Sequence, residues 1–306
     1  VIAAIAIGVG SFGLALVFRL VLGQRTSDFD QIVVGARRLL AGLSPYTTTP
    51  LPGLDWPIYY PAPALVLGIP FAPFSLPWGQ AVFCGLSGAC FGWALSEDGD
   101  AKLFGVATWP FILTVSLGQW GPVLMATATL PALGWVSIAK PNIGLALFMG
   151  YANRWIRGRA LLINIIMCAG LILSSLVIRP VWPKEWMAVL ATPTPHLLIP
   201  IFVFGGPLLL LALLRWRRPE ARFLATLACV PQTFSSYDSL LLFLIPKTRR
   251  EALVLVAATT VATAIVGFVG PAATYAATVH KFAPMRIVVV YLPALAIVLR
   301  RPNQPP

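Results

Sequence analysis

The sequence predicts an all-α polytopic membrane protein, and three observations carry that prediction. Charged side chains make up only 10% of the 306 residues and hydrophobic ones 58%, whereas an ordinary soluble domain carries roughly 25% charged residues. The mean hydropathy is +0.84. Asp, Glu, Lys and Arg are absent from Trp56 to Ser96, from Leu103 to Ala139 and from Ala252 to His280, and each stretch exceeds the roughly 20 apolar residues that one span needs. Too few charges remain to cover a soluble surface. A soluble enzyme, a secreted disulfide scaffold and a disordered chain are therefore excluded as expectations.

The net charge of +12 does not point to nucleic acid. It collects in short loops, Arg154–Arg159, Arg215–Arg218 and Lys247–Arg250, and in the tail Arg300-Arg301. The positive-inside rule reads these as cytoplasmic. The segments Arg179–Pro195 and Gly270–Pro284 then face outward, as does the loop that contains Asp28. The four cysteines, Cys84, Cys90, Cys168 and Cys229, lie in apolar segments without metal-ligand spacing and read as buried thiols.

Val1–Gly23 has no basic leader and no small-residue cleavage site, so it reads as a retained first span, with Arg19 snorkelling toward the interface. Residues 24–60 form an outer loop within a single integral-membrane domain, 1–306. Inside this loop Phe29, Ile32, Val33, Ala36, Leu39 and Leu40 recur at helical spacing. They predict an amphipathic helix over Asp28–Leu40 lying at the membrane surface, capped by Ser27 and stopped by Gly42. A proline-rich loop follows from Ser44 to Pro57.

Further apolar runs are Tyr60–Phe74, Trp78–Leu95, Leu103–Leu117, Pro122–Ala139, Pro141–Tyr151, Ala160–Ile178 and Leu197–Leu214, then Phe223–Phe234, Leu240–Pro246, Ala252–Val269 and Ile287–Leu299. Several are too short to cross alone and suit re-entrant or broken helices. Window logic gives roughly nine to twelve membrane segments.

Acidic residues are few enough to weigh singly. Glu220 and Glu251 lie in basic loops and read as solvated ion partners. Glu97, Asp98 and Asp100 form a solvated turn or, second, a contact for metal or substrate. Asp28 and Asp30 either complement a helix N-terminus or supply a general base against a hydroxyl in a partly dry site. Asp238, beside Tyr237 in an apolar region, is either a functional ionisable group or a cap at a helix break. Lys140 is either an internal cation able to meet a phosphate or an interfacial snorkeler. Tyr46, Trp56, Tyr59 and Tyr60 suit an interface belt or a surface for a sugar or lipid. His196 and His280 do not cluster, and no metal site is expected from them.

Several strings together carry a resemblance. Asp28-Phe29, the following apolar helix, Arg37-Arg38-Leu39-Leu40-Ala41-Gly42 and Ser44-Pro45-Tyr46 resemble a "DF…A..LL.G..PY" pattern. Tyr59-Tyr60-Pro61-Ala62-Pro63 resembles a "YPP" motif. Gly118-Gln119, Lys140-Pro141-Asn142 and Pro231 to Asp238 follow in the same order. The chain thus resembles the bacterial polyprenol-phosphate-mannose-dependent mannosyltransferases of the glycosyltransferase C superfamily, among them the mycobacterial phosphatidylinositol-mannoside mannosyltransferase.

The resemblance implies a glycosyltransferase C-like fold in a bacterial inner membrane, with the active site toward the outer face. It implies an inverting enzyme that moves a sugar, mannose or another hexose or pentose, from a polyprenyl-phosphate donor to a lipid, glycan or protein acceptor. Asp28 takes the place of the family's general base. Asp30, Tyr46, Tyr59, Tyr60, Gln119, Lys140, Tyr237 and Asp238 are the expected substrate-binding residues. The leaving phosphate needs a cation, and Lys140, Lys184 and Arg179 are candidates by charge and inferred face. No cofactor is expected beyond the lipid-linked sugar, and a divalent metal stays open. Expected partners are donor, acceptor and membrane lipids rather than nucleic acid, with membrane-complex partners left open. Where the family often places histidine after the late aspartate, this chain has Ser239-Leu240. The rival expectation is a non-catalytic membrane subunit retaining the fold; a lipid-linked-sugar carrier is a third.

Overall fold

The computed structural model describes residues 1–97 and 100–303, leaving aside the side chains of residues 100–102. Among the described residues the regular elements are all helices, joined by turns and irregular loops, and the β pairing is one isolated antiparallel bridge, Leu198 to Gln232. The α-helices are α1 (Ile2–Leu16), α2 (Asp28–Leu40), α3 (Ala62–Leu67), α4 (Leu76–Glu97), α5 (Trp109–Ser116), α6 (Gly121–Thr127) and α7 (Pro141–Trp155). They continue with α8 (Gly158–Ile178), α9 (Trp182–Leu190), α10 (Pro219–Cys229), α11 (Arg249–Val269), α12 (Tyr275–Arg286) and α13 (Leu292–Arg300). π-helical turns at Val17–Val21 and Ile287–Tyr291 extend α1 and join α12 to α13.

Among the described residues four helices are long and apolar enough to cross a membrane: Ile2–Val21, Gly158–Ile178, Arg249–Val269 and Tyr275–Arg300. These suggest a helical membrane protein. Other apolar runs break into short pieces. Pro122–Ala139 becomes α6 and a 3₁₀ helix over Pro131–Ala139, while Leu197–Leu214 becomes 3₁₀ helices at Pro200–Phe202 and Gly206–Arg215. Tyr60–Phe74 holds only α3 and a 3₁₀ turn, Ile69–Phe71. Prolines at the first positions of these pieces explain the breaks, because proline starts a helix well but cannot continue one through its missing N–H.

By proximity the chain divides into two interleaved units. The first comprises Val1–Trp93, Val115–Pro141 and Trp155–Thr194; the second comprises Ala94–Thr114, Asn142–Arg154 and Pro195–Pro306. In the first unit α2 has the bounds its pattern predicts and buries Phe29, Ile32, Val33, Ala36 and Leu39. That face packs on protein, against α3 and the Ile69–Phe71 turn; Leu40 is exposed. Phe29 stacks on Phe83 at 4.1 Å between ring centroids and meets Phe71 edge-on at 5.2 Å. The helix ends in a Schellman arrangement: Gly42 adopts φ +70°, its N–H donates to Leu39 O, and the Leu43 N–H donates to Arg38 O.

Helices α1 and α4 approach closely through small residues. The buried stripe of α1 is Ala4, Gly8, Ser11 and Ala15. A Cβ at Gly92 would lie 2.6 Å from Ala3 O, and one at Gly88 would lie 3.0 Å from Ile7 O. Glycine is what lets the backbones meet there.

In the second unit, Tyr275–Arg286 belongs to a helix rather than to the outward loop expected over Gly270–Pro284. Thr274 caps it by accepting the Ala277 N–H, and Pro284 sits inside it. A π turn beginning three residues after the proline lets the helix run on to Arg300. The 3₁₀ helix Gly206–Arg215 buries Gly206, Leu209 and Ala212, a stripe of period three as that helix requires.

Candidate functional site

The N-terminus of α2 gathers residues that are far apart in sequence. Ser27 is the N-cap in extended conformation, and the Asp28 N–H donates to Leu117 O at 2.9 Å. That bond ties the start of α2 to the turn before Gly118-Gln119. Gly118 has φ +62°, and a Cβ on it would come within 2.6 Å of the Phe29 Cβ. A side chain at 118 would therefore push the turn away from α2.

This approach brings three predicted residues together. The Gln119 amide nitrogen Nε2 donates to Asp28 Oδ2. The Lys140 ammonium donates to Gln119 Oε1 at 3.0 Å. Gln119 is buried, whereas Asp28 and Lys140 are half-buried. A carboxylate, an amide and an ammonium thus form one hydrogen-bonded chain. The bridging amide fixes the carboxylate's orientation, and the cation fixes which way the amide points.

Asp30 sits two residues away but faces inward. Its side chain is 0% exposed and pairs with Arg19 at 2.8 Å. Its carboxylate also accepts from the Ser27 N–H at 2.8 Å and the Ser27 hydroxyl at 3.1 Å. Arg19 therefore does not snorkel. It lies on the π turn that ends the first span and is buried against Asp30, because a carboxylate inside the protein compensates its charge.

The aromatic loop packs on α9. Tyr46 is buried, its hydroxyl donates to Tyr60 O at 3.0 Å, and the Ser44 hydroxyl donates to Glu185 Oε2 at 3.0 Å. The Trp186 Nε1–H donates to Tyr59 O at 2.9 Å. Tyr59 and Tyr60 are half-buried. Two segments that the charge distribution assigns to one face thus touch. Burial, reinforced by the Glu185 charge, pushes the Tyr46 phenol up, and burial alone raises Tyr59. The Arg179 guanidinium donates to both Glu185 oxygens, one contact at 2.6 Å. That bond outweighs desolvation and holds the Glu185 carboxyl below its ordinary range. Arg179 is thus committed to a neighbour, and Lys184 is exposed.

The second unit holds the late motif. Asp238 is buried and accepts from the Thr233 hydroxyl at 2.6 Å, which itself lies 2.7 Å from the Tyr237 hydroxyl. The motif opens a 3₁₀ helix, Ser236–Leu244, with Ser235 at its N-cap position. Residues the sequence reading missed complete the cluster. Buried Arg286 donates to the Ser236 hydroxyl at 3.1 Å, and the Tyr291 hydroxyl donates to Gln232 Oε1 at 2.5 Å. The signal for Arg286 was an arginine directly before the apolar run Ile287–Leu299, passed over because the segment preceding it read as a loop ending at Pro284.

Two other expectations need correction. Glu220 is not solvated but 2% exposed, with Arg301 at 2.8 Å, Arg218 at 3.4 Å and Lys247 at 3.6 Å. Burial opposes its ionisation, yet the amide at the start of α10, Lys247 and Arg301 together hold its carboxyl below the ordinary value. Among the cysteines only Cys84 is buried; Cys90 and Cys168 are half-buried, and Cys229 is exposed at the end of α10.

Among the described residues no group of three or more His, Cys, Asp or Glu side chains could hold a metal ion. Asp98 and the Asp100 side chain, from the acidic loop, lie outside the described residues. No protein-family model, no curated protein and no solved structure matches the chain.

Proposed function

We propose that the chain is an integral-membrane glycosyltransferase that takes a sugar from a polyprenyl-phosphate donor and passes it, with inversion, to a hydroxyl of a lipid, glycan or protein acceptor. The observation that supports this reading is the Asp28–Gln119–Lys140 chain, in which three separate strings of the family resemblance meet through hydrogen bonds. In the proposed step Asp28 removes the acceptor proton as the hydroxyl oxygen forms its bond to the sugar C1. The C1–O bond to phosphate breaks, and its electron pair leaves with the polyprenyl phosphate. Gln119 orients the base. Lys140 supplies positive charge for the leaving phosphate, and of the three candidate cations it is the one linked to Asp28. The glycosyltransferase C fold, the bacterial inner membrane and an outward-facing site belong to the same proposal. The basic loops support the orientation.

The test is transfer of labelled sugar from polyprenyl-phosphate-mannose into lipid and glycan fractions by the purified protein. Asp28→Asn is expected to lower transfer by roughly 10² to 10⁴-fold, the range for loss of a general base, while the variant still folds. Transfer by Asp28→Asn at the wild-type rate would overturn the assignment of the base. Absence of transfer by the wild type across mannose, other hexose and pentose donors would favour a non-catalytic membrane subunit.

A further inference from the structure

Helices α11 and α13 pack against each other in the second unit, and both belong to segments long and apolar enough to cross a membrane. Between them lies a cleft of about 320 Å³. Its walls are Val254 on one side and Pro293, Ala296 and Ile297 on the other; Arg250, at the start of α11, and Arg300, at the end of α13, line it as well. From Pro293 to Arg300 the wall runs roughly 10 Å along the helix axis at the α-helical rise. The cleft is thus greasy along its length and cationic at one end.

The two arginines differ from their basic neighbours. Arg301 is bound to Glu220 and Glu251, and Arg218 also reaches Glu220. Arg215 donates to Arg301 O. Arg250 and Arg300, by contrast, are exposed, and their guanidinium groups donate no hydrogen bond and form no ion pair among the described residues. Glu251 also lines the cleft, but its carboxylate is already engaged by Arg301 and by the N–H groups of Lys247 and Thr248. Two uncompensated cations therefore converge on one opening, where a planar fork suits phosphate oxygens.

We infer that this cleft binds an anionic phospholipid of the surrounding bilayer, its phosphate between Arg250 and Arg300 and the upper part of an acyl chain along Val254, Pro293 and Ile297. The inference rests on the membrane reading and is independent of sugar transfer. A basic residue near a membrane surface contributes enough attraction to an acidic lipid for roughly a fivefold effect on binding.

Native mass spectrometry of the detergent-solubilised full chain, titrated with phosphatidylglycerol or phosphatidylcholine, reads this directly. The wild type is expected to hold phosphatidylglycerol more tightly, and Arg250→Gln and Arg300→Gln each to weaken it roughly fivefold. Val254→Trp, which keeps both charges but fills the cleft, is expected to displace the lipid as well. Arg217→Gln, an exposed change elsewhere in the basic loops, is the control for net charge. Melting temperatures close to wild type show that the variants fold. Equal weakening by Arg217→Gln would overturn the proposal, as would undiminished binding in Val254→Trp. Soluble glycerophosphate competing as well as the lipid would also overturn it, because the site would then recognise free phosphate rather than a bilayer component.

Discussion

At the residue scale the consequences come from charges that have left water. Arg19 and Asp30 are 3% and 0% exposed along their side chains. Removing one partner strands the other, which costs about 3–5 kcal/mol for a buried pair. Arg19→Met and Asp30→Leu are each expected to lower the melting temperature sharply. The double variant Arg19→Met/Asp30→Leu is expected to recover part of the loss, and a double-mutant cycle in detergent checks this. Glu220 predicts an acid limb. Its folded carboxyl titrates below the ordinary 4.5, so its stabilisation is complete above that value and is lost as pH falls through the depressed folded value. Melting curves of wild type and Glu220→Gln between pH 3 and pH 6 (set by roughly the carboxylate range) should show the acid-induced fall shrinking in the variant. The sequence placed Arg19 at a span end and Glu220 among basic residues, but it read Glu220 as solvated and Arg19 as snorkelling, and both are buried. It did not show that three cations converge on Glu220, because Lys247 and Arg301 are distant along the chain.

Elements were legible to different degrees, and the reason is local chemistry. For α2 the serine cap, the apolar spacing and the terminal glycine all agree, and its bounds match. The start of α11 was also written in the sequence, as Thr248 and Glu251 form a capping box, although hydropathy alone delays the helix to Ala252. For α12 the local signals mislead. His280, Lys281 and Pro284 lower its apolar character, and the Thr274 cap together with packing on α11 sustains it. The α1–α4 contact likewise rests on glycines that hydropathy ignores. Gly92→Leu would drive a side chain into the backbone of Ala3 and Ala4, an overpacking that costs about 1–3 kcal/mol or more. The change is expected to lower the melting temperature, whereas Gly10→Ala, which meets nothing within 4 Å, should leave it nearly unchanged.

For the molecule as a whole the sequence established the helical membrane class from charge scarcity. It could not give the number of long helices, because apolar composition does not distinguish a spanning helix from a broken one buried in protein. The candidate site was legible as separate strings, Asp28, Gln119 and Lys140, and only folding joins them. The orientation is testable within one unit. In a chain freed of its native cysteines, Thr49→Cys is expected to react with an impermeant maleimide from the outer face. Arg157→Cys should react only from the inner face. Labelling of both from the same side would reverse the charge-based topology.

The 3₁₀ runs bear on how such a chain should be measured. Gly206–Arg215 holds ten residues; at about 2.0 Å rise each it reaches roughly 20 Å, where an α-helix of equal length reaches roughly 15 Å. That length equals about two-thirds of a hydrocarbon core of roughly 30 Å, from half of the roughly 20 residues of an α-helical span. Reach comes here from backbone stretch rather than from chain length. Shortening this run by one residue should withdraw about 2 Å of reach and turn the remainder by a third of a revolution, carrying the stripe of Gly206, Leu209 and Ala212 out of register.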